Sequence, residues 1–180
     1  MFLLPSCGTI HCTDDNNVYT YIDPSDLLKQ PYQGNPVIHF YGNSGHELIF
    51  NSQNEQKEYN KVDGGGDPDC PIIYYDERII RNLELENQTP EKYSSWWSIT
   101  YLKDRSYLKS NKYRIALLLK GKYYFDTQFY EDMAYRDSVF IAGEWLKAHQ
   151  FKDKNNSFTW TAKYGISTFT VDSEEFVLIP

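Results

Sequence analysis

Basic side chains are the minority in this chain of 180 residues: 18 Lys and Arg stand against 25 Asp and Glu, a formal net charge of −7. Such a balance offers no general electrostatic grip on a phosphate backbone or an anionic lipid surface, so nucleic acid is not expected as a partner. The densest basic run, Lys103, Arg105, Lys109, Lys112 and Arg114, recurs at near-helical spacing and reads as a solvated face. Long apolar runs are also missing, since no stretch approaches the roughly eighteen residues of a membrane-spanning helix. Cysteine is scarce, and three is an awkward number for a disulfide framework. There is no P-loop, dinucleotide glycine motif, zincin helix or kinase signature, so no cofactor is expected. Gly42-Asn43-Ser44-Gly45-His46 does not place its serine in nucleophile-elbow register.

What the sequence has in excess is aromatic: 16 Tyr, 10 Phe and 4 Trp make 17% of the chain. Most of these rings fall on periodic faces and read as core. A subset of Tyr and Trp is left for a partner, because these rings suit a surface that is both apolar and hydrogen-bonding.

The first residues, Met1-Phe2-Leu3-Leu4-Pro5-Ser6-Cys7-Gly8, place an aliphatic Leu4 three residues before Cys7 and a small Ser6 immediately before it. This resembles the lipobox that ends the signal peptide of a bacterial lipoprotein. The resemblance covers about eight residues and implies lipidation of Cys7, a cell-envelope location, and contact with the membrane only through that anchor. It would leave Cys12 and Cys70 as a pair for one bridge in an oxidising compartment. The alternative is a cytoplasmic chain with three reduced cysteines. Cys7-x4-Cys12, with His11 between, is not a zinc spacing.

Residues 5–36 are rich in Asp, Asn, Pro and Gln and read as a tether or arm with one helical turn at Ser25-Asp26-Leu27-Leu28, so 1–36 divides from a single domain over 37–180. Two strands flanking the turn Gly42–Gly45 predict a hairpin over Val37–Phe50, and residues 51–71, which contain Gly64-Gly65-Gly66 and Pro68, predict an exposed loop. Ile72 to Leu85 reads as extended. Thr89 as N-cap, Pro90 and Glu91 open a predicted helix to Leu108, with Tyr93, Trp96, Trp97, Thr100, Tyr101, Tyr107 and Leu108 at helical spacings. A hairpin over Tyr113–Phe125 precedes a second predicted helix from Gln128 to His149, and three strands end the chain. The expected architecture is α+β, an antiparallel sheet with about two helices packed on it.

Candidate sites are few. His39, His46 and Glu47 have metal-ligand chemistry, but an i, i+7 spacing sets the two imidazoles on opposite faces of a continuous strand. Asp63, Asp67 and Asp69 carry oxygen ligands suited to calcium without the order or terminal glutamate of an EF-hand loop. Glu131, Asp132 and Glu144 are carboxylates of the kind a glycosidase pairs. Trp96 and Trp97 are adjacent, so on a helix only one can centre on the core and the other is the candidate ligand contact. The expected function is non-enzymatic binding of protein or glycan by an envelope lipoprotein. A small acidic intracellular inhibitor, or immunity protein, that blocks a basic partner is the alternative, and a small hydrolase a more distant one.

Overall fold

Apolar side chains with a period of two run through nearly every packed segment, and that period builds sheet. The structure, a computed structural model, describes residues 17–34, 36–67, 70–86, 95–103 and 111–180. Of these, 70% lie in strands and 3% in a helix, and the sheet curls into an antiparallel half-barrel, which overturns the α+β expectation. The strands are β1 (Asn17–Thr20), β2 (Val37–Gly42), β3 (Glu47–Ser52), β4 (Gln56–Asp67), β5 (Cys70–Leu85), β6 (Trp96–Lys103) and β7 (Asn111–Leu119). They continue as β8 (Lys122–Tyr130), β9 (Asp137–Ile141), β10 (Glu144–Asp153), β11 (Asn156–Thr161), β12 (Gly165–Val171) and β13 (Glu174–Ile179), and the one short helix, α1, spans Pro24–Leu27.

Both predicted helices are strands. In β6, Trp97, Ile99 and Tyr101 are buried while Trp96, Ser98 and Thr100 between them are only half-buried, so a period-two face had been read as a helical one. Pairing with β5 on one side and β7 on the other decides the outcome, because β-branched and aromatic residues favour a pleated surface. Thr89, Pro90 and Glu91, and residues 104–108, lie outside the described residues. The segment read as the second helix contains the end of β8, a connection over 131–136, β9 and most of β10. Ala142 and Gly143, at φ 51° and 84°, turn β9 into β10, and a glycine amid an apparent helix was the local signal for that turn. The predicted loop 51–71 is largely β4, paired with β5 from Gln56 to Asp67 across a register shift between Asp63 and Gly66. The glycines allow an irregular ladder rather than abolishing it. The hairpins over Val37–Phe50 and Tyr113–Phe125 form, as do the three closing strands.

Sequence neighbours are sheet neighbours along two runs, β9 to β13 and β2 to β8, except that β3 pairs with β5 and β4 lies off the path on β5; the runs join where β13 pairs with β2. The curl brings the inner faces of these runs together. Trp97 lies against Phe125, Phe158 and Phe169, and Phe129 of β8 meets Phe151 of β10 at 4.9 Å and Trp160 of β11 at 5.8 Å. β5 is longer than the barrel is tall. Its first half pairs with β4 on one edge and, in parallel, with β1 on the other, so a three-stranded ribbon extends beyond one end.

That end is stoppered by residues 22–34. Asp23 caps α1 by accepting a bond from the Ser25 amide, and Pro24 follows at the first helical position. Tyr113 donates its hydroxyl proton to Gln30, Asn111 donates to Asp26, and Arg81 donates to the Pro31 carbonyl. The Ile166 amide donates to the Tyr32 hydroxyl at 2.5 Å. Burial holds that hydroxyl far above the usual tyrosine range, so it serves as a neutral acceptor. Gly165, at φ 69°, leaves the space the Tyr32 ring occupies, where a Cβ would collide with it.

Candidate ligand-binding surfaces

The inner face of β5 passes out of the barrel without changing its alternation: Leu83 and Ile79 face the core, Glu77 lies at the junction, and Tyr75 stands on the ribbon. Cross-strand register sets Tyr19 of β1 opposite Tyr75, and Tyr59 of β4 opposite Glu77. Tyr21 follows Tyr19 on the same side. The result is a surface platform of four tyrosines in which Tyr19 and Tyr75 stack at 4.9 Å with planes 14° apart. Tyr21 lies nearly parallel to Tyr19 at 6.2 Å, and Tyr59 stands edge-on to both. Tyr19, Tyr21 and Tyr59 are 46%, 59% and 43% exposed. At the junction Glu77, 2% exposed, accepts the Ile22 amide at 2.7 Å and meets the Lys57 ammonium. The hydrogen bond it donates to Glu77 holds that ammonium above the usual lysine range.

The other end of the barrel carries a basin among the described residues. The turns at 43–46, 120–121 and 172–173 surround a basin of about 660 Å³ whose apolar lining includes Leu48, Leu85, Leu119, Val171 and Phe176. Ser44, His46 and Glu174 meet on its rim. Ser44 donates to Glu174 Oε1, and His46 Nδ1 lies 3.0 Å from Ser44 Oγ and 3.2 Å from the same Oε1. A serine–histidine–acid relay needs the nucleophile on one imidazole nitrogen and the acid on the other. Here both fall on Nδ1 and the serine proton points to the acid, so the trio clasps the β2–β3 turn to the β12–β13 turn. His39 pairs separately with Glu47 at 2.7 Å. Among the described residues no group of three or more His, Cys, Asp or Glu is arranged to hold a metal.

Trp97 is fully buried at the centre of the core. Trp96 is half-buried on the outer face, edge-on to Tyr123 at 6.0 Å and near the Arg114–Asp126 pair. Strand alternation separates the two indoles, not the 100° step of a helix. Asp63 and Asp67 belong to β4, and Asp69 lies outside the described residues, as do Cys7 and Cys12; Cys70 opens β5 opposite Asp67. Glu131 accepts bonds from Tyr101 and Asn111 beside the stopper, whereas Glu144 binds Lys163 on the surface, so the carboxylates considered for hydrolysis do not form one site. Two of the platform's three strands, β1 and β4, lie where an arm and a loop are expected, although Val18-Tyr19-Thr20-Tyr21-Ile22 carries a strand's alternation and composition. Compared with known proteins, the chain matches no family model, no curated protein and no solved structure.

Proposed function

We propose that this chain is a non-enzymatic binding protein of the cell envelope, anchored by a lipid on Cys7, that meets a protein partner through the tyrosine platform of its ribbon. The observation that carries the reading is the array of exposed Tyr19, Tyr21 and Tyr59 around the half-buried Tyr75. Tyrosine supplies a large, rigid contact area at little conformational cost, and its hydroxyl accepts or donates at a wet interface. The rings lean on one another, so the array offers mainly edges and hydroxyls. That favours a protein surface over a sugar ring, which would stack on a free aromatic face. Trp96, beside Tyr123 on the outer wall, is the second contact candidate.

Two experiments test the parts separately. Labelling of the full gene product in cells with a palmitate analogue should mark it, and Cys7→Ala should abolish the mark; an unlabelled soluble product defeats the anchor. Proximity labelling on intact cells, with wild type beside Tyr19→Ala/Tyr21→Ala and Trp96→Ala, should yield a protein that the tyrosine double variant loses. A partner retained by every variant, or a glycan captured on an array in place of protein, overturns the platform reading.

A further inference from the structure

We infer that the basin at the end of the barrel opposite the stopper is a second binding site, independent of the platform, for an amphiphile with an apolar tail and a cationic head. β7 runs from Asn111, bonded to the stopper, to Leu119 in the basin, so the site lies about 26 Å from the stoppered end at a strand's rise per residue. The basin's 660 Å³ falls within the range of small-molecule pockets, and barrel mouths are among the places where such pockets occur. Leu48, Leu119, Val171 and Phe176 supply a floor that an alkyl or aryl body would cover.

The rim selects the head group. Glu47, Asp172 and Glu174 line the basin with Lys120 and His46; Lys122 pairs with Asp172 and His39 with Glu47, so three carboxylates stand against two ammonium groups and the surplus is one negative charge. Asp172 receives the Tyr124 hydroxyl and the Lys122 ammonium, which together hold its carboxyl below the usual range, so it is ionised near neutral pH. Both contacts of Glu174 among the described residues, from Ser44 and His46, fall on Oε1, which leaves Oε2 to meet a ligand. Tyr124 stands on the same wall with the Lys122 ammonium over its ring, 4.5 Å from the centroid, so the head-group contact falls to the carboxylates. An anionic amphiphile would seat the same tail but set its head against the surplus carboxylate of the rim.

Titration calorimetry of the full chain tests this with dodecyltrimethylammonium and dodecanoate, each below its micelle concentration, at low salt and near-neutral pH. The cation should bind once per chain and dodecanoate at least about tenfold more weakly, the factor expected when a charge-assisted contact is replaced by repulsion. Asp172→Asn/Glu174→Gln should weaken the cation by about tenfold and leave dodecanoate no weaker, since only the head-group contact changes. Val171→Trp, checked for folding by near-ultraviolet circular dichroism, should fill the basin and remove binding of both. Absence of cation binding, equal affinity for the two probes, or cation binding that survives the charge variant unchanged overturns the inference.

Discussion

The barrel interior and the ribbon platform are two stretches of one continuous sheet face, and they differ in what lies opposite. Where β5 passes inside the curl, β10 to β12 face it across the core, and Leu83 and Ile79 are buried with Trp97, Phe158 and Phe169. At Tyr75, eight residues before Leu83, there is no opposing sheet among the described residues, and the same face carries tyrosines at the surface. The alternation is identical, and closure alone separates core from platform. The choice of residue follows the same division. Phe, Leu, Ile and Trp fill most of the side that excludes water, where Tyr101 and Tyr113 enter with hydroxyls bonded to Glu131 and Gln30, and the platform on the ribbon is built of Tyr.

The sharpest way to break this comparison is at its centre. Trp97→Ala empties the space between Phe125, Phe158 and Phe169 and should cost about 3–5 kcal/mol in urea unfolding. A loss below about 1 kcal/mol would show that the interior is not packed around this indole.

At the boundary, Glu77→Ala leaves the Ile22 amide without its buried acceptor and should cost about 1–3 kcal/mol. Glu77→Gln keeps an oxygen for that amide and should cost less. Equal losses for the two variants would mean that the Lys57 ion pair, not the amide bond, holds ribbon to barrel.

Titration separates the regions again. His149 is buried inside the curl, stacked on Tyr135 at 4.3 Å and packed near Phe129, and burial lowers its pKa below that of a free imidazole. The unfolded chain therefore takes up the proton first. Stability is complete above the unfolded pKa of about 6.5 and falls as pH drops from there toward the lower folded value. His149→Phe should flatten that part of the pH–stability curve, and a variant curve parallel to wild type would remove the histidine from the acid response.

The smallest effect belongs to the platform. Tyr21→Ala, at the most exposed ring, should change stability by no more than about 0.5 kcal/mol while lowering partner capture on cells. A loss as large as that at the barrel core would make the platform part of the packing, and the contrast between the regions would fail.

Much of the fold was legible locally. Gly42–Gly45 and Lys120-Gly121 marked hairpins that form, and the closing strands could be read from Phe158, Trp160 and their alternating neighbours. The two helices were not, because Trp96, Trp97, Thr100 and Tyr101 satisfy a period of 3.6 and a period of two over so short a window. The Ser25–Leu28 turn corresponds to α1, but nothing local says that Gln30 and Tyr32 reach Tyr113 and Ile166 across the end of a barrel. Nor does Ser44-Gly45-His46 announce Glu174, 128 residues beyond His46, as its partner.

The sequence by itself determined the acidic balance, the aromatic excess, the turn positions and the lipobox-like Leu4-Pro5-Ser6-Cys7, all properties of composition or of a few neighbouring residues. Tertiary structure decided which strands run past the barrel, which tyrosines stay at the surface and which turns gather around the basin. These depend on which strands pair and on what stands opposite each face, and such contacts join residues too far apart in the chain for local periodicity to register them.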